Sequence, residues 1–121
     1  MATVDFSVVA DVADGIGVVT ASGEIDVATA EPLRQALISV EQEGATQVVV
    51  DLTEVEFLDS TGLGVLVGSL RRLRDVGGDM YVAMTHPHLL KVMRVTNLDR
   101  VFRIVDTADR ARDEARAAAE A

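Results

Sequence analysis

Asp59-Ser60-Thr61-Gly62-Leu63-Gly64 places two hydroxyls beside a carboxylate inside the otherwise apolar stretch from Phe57 to Gly68. Hydroxyls so placed can cap a helix, accept a phosphoryl group or act as a nucleophile. The first two share one geometry. The first backbone N–H groups of a helix have no intrahelical partner, so Asp, Ser and Thr are favoured there, and the aligned peptide dipoles favour negative charge. Gly62 and Gly64 add no side chain over such a turn, so a hydroxyl in it is accessible. A phosphate added to it would meet backbone N–H donors. A capping motif of Asp59, Ser60 and Thr61 with no further role explains the same residues, and pattern alone leaves both readings open.

The nucleophile reading is weaker. Leu58 stands two residues before Ser60, where a nucleophile elbow has glycine. A Ser/His/Asp hydrolase would also need His86 or His88 to reach Ser60. Gly62, Gly64 and Gly68 do not make Gly-x-Gly-x-x-Gly, because position 67 is Val, and no Gly-Lys-Ser/Thr follows for a phosphate loop. His86-Pro87-His88 has i,i+2 spacing around proline with no third ligand nearby, which suits a turn into a helix better than a metal site. Asp51, Glu54, Glu56 and Asp59 lack the spacing and glycine of an EF-hand loop and are expected to be solvated loop charges. No catalytic residue, metal or cofactor is expected.

The elements that must position Ser60 follow from periodicity. Thr3 to Ala10 and Ile16 to Ser22 are β-branched and apolar around Asp14-Gly15, a hairpin closed by Glu24-Ile25-Asp26. Ala30, Leu33, Leu37 and Val40 recur at helical spacing over Thr29 to Glu43, with Pro32 in the first turn and Gly44 as a stop. Gln47 to Leu52 reads as a central strand buried on both faces. A turn at Thr53-Glu54 and a brief extended piece, Glu56 to Leu58, lead to Asp59. Leu63, Leu66, Val67, Leu70 and Leu73 then carry a helix to Gly77-Gly78, with Arg71, Arg72 and Arg74 mostly on its exposed side. Asp79 to Met84 reads as a strand, His88 to Thr96 as a helix, Val101 to Val105 as a strand, and Thr107 onward as a closing helix. Such alternation implies a parallel or mixed sheet.

Composition narrows the function classes. The 121 residues are 49% hydrophobic and 26% charged, with no cysteine. That excludes a disulfide framework, a thiolate metal site and a Cys nucleophile. The formal net charge of -9 repels phosphate backbones and anionic lipid, so direct nucleic-acid or membrane binding is not expected. No apolar run approaches the roughly 18 to 20 residues of a membrane span, and MATVDFSVVADVAD lacks the basic start of a signal peptide. A cytoplasmic location is the expectation.

Asp59-Ser60-Thr61-Gly62-Leu63-Gly64, continued by Val65-Leu66-Val67-Gly68, resembles the signature of the bacterial anti-sigma factor antagonists, the free-standing members of the STAS domain family. Gly23-Glu24-Ile25-Asp26 resembles that family's second motif. The spacing of the two motifs, the Gly77-Gly78 turn and the element order extend the likeness over most of residues 3 to 106. The resemblance implies one STAS-like α/β domain over residues 1–121, a mixed β-sheet flanked by α-helices in the order β-β-α-β-α-β-α-β-α, with a core at about 3–106 and a C-terminal helix at 107–119.

It also implies a partner switch. The unphosphorylated protein would bind an anti-sigma factor that is also a serine kinase, releasing a sigma factor. Phosphorylation at Ser60 would end the binding, and a PP2C-type phosphatase would restore it. Assignment to Ser60 over Thr61 rests on the resemblance. Asp26 matches an acidic position beside the phosphorylation site, suited to orienting the acceptor hydroxyl or contacting the kinase. The implied partner surface is Asp26, Asp59, Ser60, Thr61, Gly62, Leu63 and Gly64. Within the family the alternative is a module of a stress-signalling assembly or a transporter regulator acting in trans. Outside it, the alternative is a small serine hydrolase.

Overall fold

Asp14 and Gly15, both at positive φ (55° and 78°), turn the chain between β1 (Ser7–Ala13) and β2 (Ile16–Ile25) in the computed structural model, which describes residues 6–121. Two consecutive positive φ values match the right-handed twist of the flanking strands, as hairpins require. The first strand begins at Ser7 and runs to Ala13, later than the expected Thr3 to Ala10; residues 3–5 of that expectation lie outside the described residues. The chain continues through α1 (Ala30–Gln42), β3 (Gln47–Leu58), α2 (Ser60–Asp75), β4 (Asp79–Ala83), α3 (Pro87–Val95), a 3₁₀ turn (Leu98–Arg100), β5 (Arg103–Val105) and α4 (Ala108–Glu120).

The strands lie in sequence order, β1 antiparallel to β2 and the rest parallel, so the sheet is mixed and β3 is its centre. Alternation along β3 separates two cores. Val48, Val50 and Leu52 meet Leu33 and Leu37 of α1, Leu66 and Leu70 of α2, and Leu89 and Met93 of α3 on one face. Val49, with Ile16 and Tyr81, meets Ala111 and Ala115 of α4 on the other. The two alanines allow α4 to lie close to the sheet, and the buried Tyr81 hydroxyl is satisfied by Gln47 Oε1 at 2.9 Å.

Three expectations are corrected. There is no turn at Thr53-Glu54: β3 runs unbroken for 12 residues. Its pairing with β2 slips twice, between Thr20 and Ser22 and between Gly23 and Glu24, and each slip inserts one extra residue into β3. Asp51 Oδ1 accepts from the Thr53 amide and hydroxyl at 3.0 and 2.7 Å, which gives this segment its turn-like polarity within a strand. Asp51, Glu54 and Glu56 are therefore strand residues, not loop charges. The last strand is only three residues long, because Val101 and Phe102 close the 3₁₀ turn through bonds to Leu98 O, and Phe102 is buried beneath it.

The arginines of α2 lie on its exposed side as expected, and two of them are engaged in ion pairs. Arg72 makes a two-pronged contact with Glu41 of α1, 2.6 and 3.1 Å, and Glu41 Oε2 further accepts from the buried Ser69 hydroxyl at 2.7 Å. The Glu41 carboxylate holds the Arg72 guanidinium above its ordinary pKa, chiefly through this hydrogen bond. Arg74 reaches Val101 O and Asp79. Arg71 has no ion pair among the described residues.

Candidate functional site at the carboxyl edge of β2 and β3

In a parallel sheet the carboxyl ends of the strands, where helices begin, are where side chains and helix N-termini converge. β2 ends at Ile25 and β3 at Leu58, paired with each other in register, and the Asp59 amide donates to Ile25 O at 3.1 Å. The loop carrying Asp26 and the start of α2 are thereby tied side by side. Gly23, at φ 103°, takes the backbone conformation that accompanies the second slip against β3, which a side chain would strain.

Asp59 is the N-cap of α2. Its backbone is extended, and Oδ1 accepts from Thr61 N at 2.9 Å and Gly62 N at 3.1 Å. Its carbonyl accepts from Leu63 N at 3.0 Å. In the unmodified protein, then, two of the N–H donors that sequence reasoning offered to a phosphate are already occupied by the Asp59 carboxylate. Asp59→Ala is expected to cost about 1 kcal/mol of stability through loss of this cap, measured by urea unfolding; an unchanged midpoint would mean the cap carries no net energy.

Ser60 and Thr61 open the helix exposed, and Gly64, one turn on, faces open space, with nothing within 4 Å of where a methyl would sit. Gly62 points the other way. A Cβ there would collide with Ile25 Cγ2 and lie 2.7 Å from Leu58 Cδ1, so its role is close packing of the first turn on the strand ends, not an open approach. Leu63 is half-buried against the main core.

Asp26 is occupied locally. Oδ1 accepts from Ala28 N at 2.9 Å and Thr29 N at 3.2 Å, its carbonyl accepts from Ala30 N at 2.8 Å, and its own amide donates to Thr29 Oγ1 at 2.9 Å. The Thr29 hydroxyl donates to Glu24 O at 2.8 Å. Asp26 and Thr29 together close the β2–α1 turn, a signal present in the sequence as Asp-x-x-Thr. No hydrogen bond joins Asp26 to Ser60 among the described residues; the two are neighbours through the Ile25–Asp59 backbone contact.

Two aromatic residues at this edge were not singled out by sequence as a pair. Phe57 and His88 stack at 5.2 Å with ring planes 7° apart. His88 Nε2 is buried without a hydrogen-bond partner, and His86 Nδ1 accepts from His88 N as the cap of α3. Neither histidine hydrogen-bonds Ser60, so the triad that a serine hydrolase needs is not assembled. Among the described residues no group of three His, Cys, Asp or Glu side chains is arranged to hold a metal, and no helix is long and apolar enough to cross a membrane.

The chain belongs to the STAS domain family: the STAS domain model matches residues 7–111. The anti-sigma-B factor antagonist of Staphylococcus epidermidis is 33% identical over 86 residues, covering 71% of this chain and 80% of that protein. A crystal structure of an anti-sigma factor antagonist from Mycobacterium paratuberculosis superposes with a TM-score of 0.84 at 33% identity, covering 93% of this chain and 95% of that one. The anti-sigma factor antagonist SpoIIAA in its unphosphorylated form superposes with a TM-score of 0.78 at 25% identity, covering 93% and 97%.

Proposed function

We propose that this protein is an anti-sigma factor antagonist, a non-enzymatic cytoplasmic regulator that binds an anti-sigma factor in its unphosphorylated state and so frees a sigma factor. The partner is itself a serine kinase that phosphorylates Ser60, and a PP2C-type phosphatase reverses the modification. The observation that carries this reading is the exposed Ser60 hydroxyl at the start of α2, in a chain whose relatives on both sequence and structure comparison are anti-sigma factor antagonists. Ser60 is taken as the acceptor ahead of Thr61 on the family resemblance, both hydroxyls being exposed at the start of α2.

The direct test is incubation with ATP and each serine-kinase anti-sigma factor of the source organism, read by intact mass. Addition of one phosphoryl group, lost in Ser60→Ala and retained in Thr61→Ala, is the expected result. Retention in Ser60→Ala would move the acceptor to another residue.

Asp26 contributes charge at the same edge. Asp26→Asn keeps an acceptor for Ala28 N and Thr29 N, so the turn should lose less than about 1 kcal/mol. The phosphorylation rate is expected to fall by a larger factor than stability accounts for. A large drop in thermal midpoint with an unchanged rate would leave Asp26 as a turn residue alone.

A further inference from the structure

Alternation along the β1–β2 hairpin leaves one of its faces uncovered. Val8 and Val12 of β1 pack against the main core, so Val9, Asp11 and Ala13 point to the other face, beside their register partners Thr20, Val18 and Ile16 of β2. The helix on that face is α4, and it is seated over the middle of the sheet, where Ala111 and Ala115 meet Val49 and Tyr81. Between α4 and the hairpin a cleft of about 660 Å³ remains, within the size range of small-molecule sites.

The lining of this cleft is sorted by chemistry. Arg112 and Arg116 stand one turn apart on the α4 wall, and Asp11 stands on the hairpin wall. The arginines pair with Asp109 and Asp113 of their own helix, at 3.4 and 3.7 Å; all four side chains are exposed, so these pairs hold the guanidiniums weakly. Asp11 makes no ion pair among the described residues. Opposite charges therefore line the two walls without neutralising each other. α4 starts after the carboxyl end of β5 and runs back toward the edge where Asp14 turns the hairpin, and Glu120, one turn beyond Arg116, lines the cleft with Asp14 at that end. Apolar Ala13, Ile16 and Ala119 lie between. Arg116 and Glu120 are offset by about 6 Å along the helix, and Asp11 and Ala13 by about 7 Å along the strand.

We propose that this cleft binds a free basic α-amino acid such as lysine. The α-carboxylate meets Arg112 and Arg116, the α-ammonium meets Asp11, the aliphatic stem lies over Ala13, Ile16 and Ala119, and the terminal cation reaches Asp14 and Glu120. The four-carbon stem of lysine covers the offset between the two charged ends. Such a ligand matches every charged group that lines the cleft, and each charge-assisted contact adds affinity and orientation. The site lies on the face of the sheet opposite the main core, so the proposal stands independently of Ser60 and its partner.

Titration of the isotope-labelled full chain with L-lysine, followed by amide chemical shifts, tests this. Saturable shifts confined to β1, β2 and α4 are expected. L-Norleucine lacks the terminal cation, cadaverine lacks the carboxylate, and Nα-acetyl-L-lysine lacks the α-ammonium, as does any lysine inside a peptide chain; each should bind about tenfold more weakly or worse. Asp11→Asn, and Arg112→Gln combined with Arg116→Gln, should cost the same factor for lysine, while Asp75→Asn, at an exposed carboxylate of α2, leaves binding unchanged. Ala119→Trp fills the cleft from an exposed helix position and should abolish binding, with the free variant's amide spectrum showing that the fold is kept. No saturable shift with L-lysine, shifts centred outside the cleft, norleucine binding as well as lysine, or wild-type affinity in Asp11→Asn would each overturn the proposal.

Discussion

Ser60→Asp is expected to weaken binding of the anti-sigma factor by about 100-fold, or about 2.7 kcal/mol, while Ser60→Ala binds close to wild type and cannot be phosphorylated. The free protein feels the new carboxylate little. Ser60 is exposed, and repulsion from Asp59 at a solvated helix start is screened by salt. Asp59 already occupies the Thr61 and Gly62 amides, so the added charge gains no strong backbone contact either. In the complex the terms change. To be phosphorylated, Ser60 must come within reacting distance of the terminal phosphate of a bound nucleotide. A negative charge at residue 60 then faces those phosphates in a site from which water is being removed, where like charges cost several kcal/mol. The measurement is titration of both variants beside urea unfolding. Equal affinities, or a stability change above about 2 kcal/mol on the scale of a core mutation, would show that the switch does not work by charge at the interface.

Gly62→Ala should destabilise the protein by about 1–3 kcal/mol, although alanine is the better helix former. Helix propensity favours the substitution by about 1 kcal/mol. Against this, the new methyl meets Ile25 Cγ2, a branch held rigidly on its Cβ, and Leu58 Cδ1 at 2.7 Å, and both neighbours are buried at 0% and 2% exposure. Overpacking of a filled core costs about 1–3 kcal/mol or more, so packing outweighs propensity. Relief would require α2 to lift off the strand ends, which moves Ser60, and affinity for the anti-sigma factor should fall as well. Gly64→Ala is the contrast: nothing lies within 4 Å of its added methyl, so stability should rise by up to about 1 kcal/mol. Thermal midpoints that move together for the two variants would contradict this division of labour within the motif.

Much of the fold was legible in the chain because its signals are local. Gly44 and Thr107 bound their helices as stop and cap, and Asp14-Gly15 turns the hairpin, since each needs only its own backbone conformation or an amide a few residues away. The helix beginning at Ser60 is of this kind too: Asp59 caps it through amides two and three residues on. Gln47 to Val50 read as buried on both faces because a continuous apolar run has no other stable place in a small α/β protein.

What escaped the sequence depends on partners distant in the chain. Leu52, Val55 and Leu58 are all buried in one core at intervals of three residues. That spacing belongs to neither a regular strand nor a solvated turn, and it is produced by two slips of β3 against β2. The ion pairs of Arg72 and Arg74 were not legible because Glu41 and Asp79 lie on other elements. The Phe57–His88 stack exists because β4 ends early and α3 fills the gap. By itself the sequence determined the helices, their caps and an accessible hydroxyl at the start of one of them, since short-range hydrogen bonding and periodicity suffice for these. Only the tertiary structure decided that Gly62 is a packing contact, because that depends on how β2 and β3, distant in the chain, are brought into register so that Ile25 and Leu58 stand beside the first turn of α2.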